Sequence, residues 1–319
     1  MTTTPLFPPG LTSGHPAPSA ATPPPGIEWS DTARQAAFEA WLADQATQHG
    51  LLAATARPAS ADASFRRYFR VDRAQGGSCI VMDAPPDKEN CQPFVTVAGL
   101  MAGVGLRVPD ILAWDAPQGF MLLNDLGTQT LLDVLDLDNP QANQPRYMDA
   151  LAALLPWQAG SREGVLPAYD EALLRRELQL FPDWYLGQHK QFVMSDAQTQ
   201  VLNKAFNSIV TRNLAAPKVW VHRDFMPRNL MVPPNGFSPA TAAQALGVLD
   251  FQDAVYGPIT YDIASLMRDA FVSWEEDFVL EVTVRYWERA RKLGLMDFED
   301  WSQDFGAFYR AVEWMGLQR

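Results

Sequence analysis

Two short stretches of this chain carry the residue types that phosphoryl transfer requires. The first holds His222, Asp224 and Asn229, and the second begins with Asp250 after an apolar run. Phosphoryl transfer needs an aligned nucleophile and magnesium to neutralise phosphate charge. Magnesium binds few protein oxygens and keeps phosphate oxygens as further ligands, so one carboxylate and one amide suit it. The elements that flank the two stretches must hold these groups together.

The spacing resembles the catalytic loop and metal motif of protein-kinase-like phosphotransferases. The resemblance implies that Asp224 accepts the proton of the acceptor hydroxyl, and that Asn229 and Asp250 bind Mg²⁺. It also implies that His222 holds the loop by packing and hydrogen bonds. Asp262 would steady the loop backbone, although a simple acid at a helix start is an equally good interpretation.

Apolar runs flank both stretches. Residues 219–221, 230–232 and 246–249 are each short and apolar, which is typical of buried strands. A Gly257-Pro258 turn is predicted to lead into a helix with Asp262 in its first turn, where a carboxylate is favoured.

Four further segments, residues 63–71, 80–86, 181–185 and 250–258, carry a family resemblance. They are similar to the aminoglycoside phosphotransferase-like small-molecule kinases, and most of all to the bacterial anomeric kinases of N-acetylmuramate and N-acetylglucosamine. The resemblance runs from about residue 29 to the end of the sequence. It implies transfer of the γ-phosphoryl group of ATP to the C1 hydroxyl of an amino sugar, giving the sugar 1-phosphate in peptidoglycan (cell-wall) recycling.

The resemblance also implies a fold class. We expect an α+β, protein-kinase-like fold with two lobes: a small N-lobe with an antiparallel sheet (28–125) and a larger, mainly helical C-lobe (126–319). Residues 1–27, rich in Pro, Thr and Ala, are predicted to be a disordered tail. Ser30 is predicted to cap the first helix, and the last helix is expected to continue beyond this sequence.

The nucleotide site departs from the protein-kinase pattern. The loop at 62–67 contains no glycine, and Asp83 stands where a strand lysine is expected. Residues 122–127 would form the hinge that pairs with adenine, although a strand leaving into a turn fits equally well. The candidates for nucleotide binding are Ser64, Phe65, Arg66, Arg67, Arg70, Lys88, Asn124, Asp125 and Leu126. The choice among the possible phosphate ligands stays open.

The acceptor site needs polar side chains and an aromatic platform. Gln252 and Asp253 follow the metal aspartate, and family analogy brings Glu177 and Trp184 over the catalytic loop. Core packing is the stronger interpretation for Trp184. Arg228 could bind the γ-phosphate, as part of the catalytic group, or the lactyl carboxylate of muramate.

Composition limits the function classes. A net charge of −12 and a pI near 4.7 argue against nucleic acid or an anionic membrane as partner. Two cysteines fit a reducing cytoplasm, and no signal peptide or transmembrane run is recognised. We expect a cytoplasmic monomer that uses ATP, Mg²⁺ and an amino sugar.

Two alternatives stay open. The acceptor could be an aminoglycoside, choline or homoserine. A non-catalytic nucleotide-binding scaffold is favoured by the missing lysine and glycine loop, and disfavoured by the joint presence of Asp224, Asn229 and Asp250.

Overall fold

The computed structural model describes residues 27–60, 65–233 and 245–319. Its first helix, α1 (Thr32–His49), is capped by Asp31, whose carboxylate accepts from the N–H groups of Ala33 and Arg34. The prediction that Ser30 caps this helix is therefore wrong by one residue, because a carboxylate at 31 reaches two free N–H groups. Gly50 ends α1 at φ +65°.

A five-stranded antiparallel sheet occupies the N-terminal part, in the order β1-β2-β3-β5-β4. Its strands are β1 (Arg57–Ser60), β2 (Arg67–Asp72), β3 (Ser78–Asp83), β4 (Ile111–Asp115) and β5 (Phe120–Asn124). The β2 residues Phe69 and Val71 pack with α1, whereas Tyr68 lies on the opposite face with Met82 of β3. That second face packs against helix α2 (Gln92–Gly103) and the helical part of the chain.

The remainder of the described chain is mainly helical. Its helices are α3 (Gln144–Ala159), α4 (Glu171–Leu180), α5 (Asp196–Ala215), α6 (Thr260–Met267), α7 (Glu276–Lys292) and α8 (Phe305–Gln318). An antiparallel sheet followed by a helical part is the α+β arrangement that the sequence predicted.

Two short strand pairs interrupt the helices. They are β6 (Lys218–Val221) with β9 (Val255–Pro258), and β7 (Leu230–Met231) with β8 (Gly247–Val248). The three predicted strands around the catalytic motifs are thereby confirmed. The loop from β6 to β7 and the loop from β8 to β9 leave these pairs side by side, so the pairs position both motifs.

Several predicted boundaries need correction. Gly257 and Pro258 belong to β9 rather than to a turn; a Cβ on Gly257 would come within 2.7 Å of the Tyr169 side chain, so the glycine permits close packing. The helix predicted over 169–188 changes at Phe181 into a wide π-helical segment, Phe181–His189. The helix predicted over 298–317 begins only at Phe305, the first residue of α8.

No helix among the described residues is long and apolar enough to cross a membrane.

Candidate active site

The catalytic loop is anchored by a carboxylate from helix α6. Asp262 is fully buried and accepts from the backbone N–H groups of His222 (2.8 Å) and Arg223 (3.0 Å). Burial raises the pKa of Asp262 to about 7, against the lowering effect of the two N–H groups. Ser265, one turn later, donates its hydroxyl to the Arg223 carbonyl at 2.9 Å. The start of α6 therefore fixes the backbone that precedes Asp224.

His222 joins the catalytic loop to the strand that carries the metal motif. Its Nδ1 accepts from the N–H of Asp224 (3.2 Å), and its Nε2 lies 2.9 Å from the carbonyl oxygen of Leu249. Since Nδ1 accepts, Nε2 carries the proton and donates to Leu249. Burial lowers the pKa of His222 to about 4, so the ring is neutral and acts as a structural link.

Asn229 brings Asp224 and Asp250 together. Its amide nitrogen donates to the Asp224 carbonyl (2.8 Å) and lies 3.3 Å from the carboxylate of Asp250. The side chain of Asn229 therefore links the backbone of Asp224 to the carboxylate of Asp250. Burial raises the pKa of the Asp224 carboxyl; Arg319 opposes the rise and the charge of Asp250 adds to it.

Asp250 is held in an uncommon backbone conformation. Its φ is +63°, in the left-handed region that non-glycine residues rarely adopt. The side-chain amide of Gln252, which is buried, donates to Asp250 Oδ1 at 2.8 Å. Gln252 therefore orients Asp250, a contact that the sequence did not predict. Asp253, the next residue, is exposed and its charge acts on Asp224.

The donor set fits magnesium. Within residues 27–60, 65–233 and 245–319, no group of three or more His, Cys, Asp or Glu side chains could hold a metal ion by itself. Asp250 and Asn229 together offer a single carboxylate and a single amide, which suits an ion that takes its other ligands from phosphates and water.

The candidate phosphate ligands of the N-terminal sheet are engaged with carboxylates. Arg67 and Arg34 both bind Asp83, which is completely buried on the face of the sheet that α1 covers. Asp83 is therefore not open to the space between the lobes, and Arg67 points away from it. Arg67 was one of several candidates left open for nucleotide binding, and in the structure its guanidinium binds Asp83.

The other cations of this region have partners as well. Arg66 lies 3.0 Å from Glu89, and Arg70 lies 2.5 Å from Asp125. The Lys88 ammonium lies 4.9 Å from the ring centroid of Phe65, which is largely exposed. Ser64 falls outside the described residues.

The predicted hinge is held by its own side chains. Asn124 exchanges two side-chain hydrogen bonds with Asp110, and Asp125 accepts from Arg70, Ser78 and the N–H of Gly127. Although burial opposes it, the hydrogen bonds from Arg70 and Ser78 hold the pKa of Asp125 below its usual value. Leu126 is buried, and its carbonyl accepts from Arg107.

Three candidates remain: Glu177, Trp184 and Arg228. Glu177 of α4 binds Arg223 at 2.6 Å, a contact that the sequence did not reveal because motif spacing carries no information on it. Trp184 is 65% exposed, so its interpretation as a core residue is wrong. Arg228 is exposed, and its guanidinium lies 4.7 Å from the ring centroid of Phe271.

Comparison with known proteins bears on this arrangement. The profile of the phosphotransferase enzyme family matches residues 55–301. Two curated relatives are named N-acetylmuramate/N-acetylglucosamine kinase. The protein from Pseudomonas aeruginosa is 50% identical over 268 residues, covering 82% of this chain and 72% of the relative. The protein from Neisseria meningitidis is 45% identical over 262 residues, covering 82% and 74%.

Solved structures show the same fold at low sequence identity. Macrolide 2'-phosphotransferase MphH from Brachybacterium faecium superimposes with a TM-score of 0.55 at 16% identity, covering 87% of this chain and 90% of that one. Aminoglycoside phosphotransferase APH(3'')-Id from Streptomyces rimosus, solved with ADP and streptomycin, has a TM-score of 0.53 at 14% identity, covering 88% and 98%.

Proposed function

This chain belongs to the phosphotransferase enzyme family, and on that premise we propose that it phosphorylates the anomeric C1 hydroxyl of N-acetylmuramate and N-acetylglucosamine with ATP. The family membership and the ATP-dependent phosphotransferase activity are the ones that the motifs predicted. The acceptor is supported by the names of relatives at 45–50% identity. The product would be the sugar 1-phosphate, and the setting the recycling of cell-wall sugars in the cytoplasm by a monomer.

One observation carries the proposal: a single amide, Asn229, lies between the backbone of Asp224 and the carboxylate of Asp250. It sets the proton acceptor beside the residue that would hold the metal. Asp250 and the amide oxygen of Asn229 would hold magnesium, and the bound ion would neutralise charge on the phosphates.

The chain's own residues then perform the transfer. The Asp224 carboxylate orients the sugar hydroxyl and takes its proton as the hydroxyl oxygen bonds to the γ-phosphorus. The bond from that phosphorus to the β–γ bridging oxygen breaks, and ADP leaves. A carboxyl with a raised pKa is a better proton acceptor than an exposed one, which suits this task.

The acceptor would lie beside Asp224, near Asp253 and Arg228. Arg228 carries a planar guanidinium that suits the lactyl carboxylate of muramate or the γ-phosphate. Its guanidinium lies over the ring of Phe271 and forms no ion pair with any residue that the structure describes. Trp184 offers an exposed ring that could serve a sugar as platform.

The test is ADP release with Mg-ATP and N-acetylmuramate, N-acetylglucosamine or kanamycin, with the phosphorylated position read by phosphorus NMR. We expect anomeric phosphate on both amino sugars. Phosphate on kanamycin alone would assign the acceptor to the aminoglycoside class instead. ATP binding without transfer to any acceptor would support the scaffold alternative.

A further inference from the structure

We propose that Glu177 and Arg223 form a positioning pair that sets the Asp224 carboxylate for proton transfer, with Tyr169 as its third member. The proposal rests on the role of Asp224 in the proposed function. It assigns Glu177 to the support of the catalytic loop, whereas the sequence predicted that Glu177 binds the sugar.

Arg223 is fixed at every polar backbone atom. It directly precedes Asp224 and holds φ at +78°. Its N–H donates to Asp262, and its carbonyl accepts from Ser265 and from the guanidinium of Arg319. A non-glycine residue keeps such a conformation only when several surrounding contacts hold it in place. The side chain is the remaining degree of freedom, and Glu177 fixes it.

The Glu177 carboxylate is engaged by two donors. Oε1 accepts from Arg223 Nη2 at 2.6 Å, and Oε2 accepts from the hydroxyl of Tyr169. The side chains of Arg223 and Glu177 are only 23% and 16% exposed. With both oxygens bound inside the protein, Glu177 is poorly placed to serve as a sugar ligand.

Tyr169 connects the pair to the strand beyond the metal motif. The tyrosine is fully buried, and its N–H donates to the Tyr256 carbonyl of β9 at 2.8 Å. Gly257 leaves the space that the tyrosine side chain occupies. Burial raises the pKa of the Tyr169 hydroxyl, so it stays protonated and donates to Glu177. The network therefore joins helix α4, strand β9 and the residue next to Asp224.

Removal of Glu177 would not be compensated nearby. Arg223 Nε is buried and has no hydrogen-bond partner among the described residues. A guanidinium that loses its carboxylate in such a place turns toward water or other acceptors. The left-handed backbone of Arg223 would then lose one of the contacts that hold it beside Asp224.

The experiment compares Glu177→Gln, Arg223→Met and the double variant in the full chain. We expect each single variant to lower kcat by about 10- to 100-fold, because a small misplacement of a catalytic group costs that much. The KM for either sugar should change less than about threefold, because the variants remove no contact that the protein makes with the sugar itself. The double variant should be no slower than the slower single variant, because both remove one interaction. Arg223→Lys, which keeps the charge, should recover part of the loss.

A matched control lies on the same helix. Glu171 and Arg175 form an exposed ion pair of the same residue types, at 2.7 Å, far more open to water than the Glu177 pair. Glu171→Gln and Arg175→Met should leave kcat within about twofold of the parent, as expected for surface ion pairs. Thermal unfolding of all variants separates loss of position from loss of fold. If Arg223→Met does not fold, Tyr169→Phe removes only the hydroxyl contact and should still lower kcat by about threefold or more.

Two outcomes would overturn the proposal. A raised sugar KM with unchanged kcat in Glu177→Gln would make Glu177 a sugar ligand, and additive losses in the double variant would show that the residues act separately. If wild-type protein transfers phosphate to neither sugar, that result would contradict the proposed acceptor instead. In that case the ratios of variant to wild-type kcat, measured for ATP hydrolysis with water as acceptor, test the positioning pair.

Discussion

The N-terminal sheet and the catalytic loop use charged residues in opposite ways. In the sheet, arginines and carboxylates neutralise one another: Asp83 is bound by two arginines and Asp125 by Arg70. In the loop, neither Asp224 nor Asp250 takes part in any ion pair of the described chain. The carboxylate of Asp250 accepts instead from the side-chain amides of Asn229 and Gln252, and Asn229 holds Asp224 through its backbone carbonyl.

The difference separates charge used for folding from charge kept for chemistry. A carboxylate that is paired with arginine has a lowered pKa and no free oxygen, so it stabilises the fold and is a poor base. A carboxylate without an arginine partner keeps its affinity for a proton or a metal. Asp125, with its lowered pKa, and Asp224, with its raised pKa, represent the two cases.

Asp224→Asn tests the catalytic side of the comparison and should have the largest effect. We expect kcat to fall by at least about 100-fold, the usual scale of a general base. Because burial raises the pKa of Asp224, its charge costs folding free energy, and the variant should unfold at the same temperature or higher. Turnover assays and calorimetry check both points; unchanged turnover would remove Asp224 from the mechanism.

Arg70→Met tests the structural side. We expect the free energy of unfolding at neutral pH to fall by about 3 kcal/mol, since a largely buried carboxylate loses its partner. The KM for ATP should stay the same if Arg70 serves the fold, and rise if it grips phosphate.

The pH dependence sharpens this second test. The folded-state pKa of Asp125 lies below its ordinary value of 3.8, so its contribution is present above that pH and is lost as pH falls through the folded-state value. Urea titrations should therefore show wild type and Arg70→Met converging at low pH. A gap that stays constant with pH would mean that the ion pair with Asp125 is not its cause.

Gln252→Leu removes one amide that fixes the metal carboxylate. We expect the magnesium concentration for half-maximal activity to rise by about tenfold, as is usual when a residue supporting a metal ligand is lost. Gln35, whose side-chain amide donates to Glu39 within α1 at 2.7 Å, provides a matched control, and Gln35→Leu should leave the magnesium titration unchanged. A titration unaltered in Gln252→Leu would show that Asp250 does not need this contact.

Arg228→Ala should have the smallest effect, because the side chain is exposed and lacks an ion-pair partner in the described residues. If Arg228 reads the lactyl carboxylate, kcat/KM for N-acetylmuramate should fall about fivefold more than for N-acetylglucosamine, the worth of an exposed charge contact. Equal losses on both sugars would point to the phosphate.

The motifs whose residues lie close together in the sequence were predictable. The spacing of Asp224, Asn229 and Asp250, together with the apolar runs beside them, predicted the three strands that the structure contains. The family resemblance and the fold class are likewise confirmed by the family match and the solved structures. Each of these depends on residues close in sequence or on a pattern shared by a whole family.

Contacts between distant residues were not predictable. The partners of Arg67, Glu177 and Gln252 depend on which face of an element is turned inward, and sequence spacing alone does not fix it. Arg67 lies on the same face of β2 as Phe69, and its pairing with Asp83 follows from the register between β2 and β3. The core interpretation of Trp184 was wrong because it rested only on the tendency of large aromatic side chains to be buried, whereas the π-helical segment leaves this ring 65% exposed.

The left-handed conformations of Arg223 and Asp250 have a consequence for directed evolution. Each costs on the order of 1–2 kcal/mol that glycine would not incur. A library selected for heat resistance alone would therefore accumulate glycine at position 250, whereas the ion pair with Glu177 would retain Arg223. Such survivors would be more stable proteins without the carboxylate that the proposed function assigns to magnesium, so selection for stability and selection for turnover favour different residues at position 250.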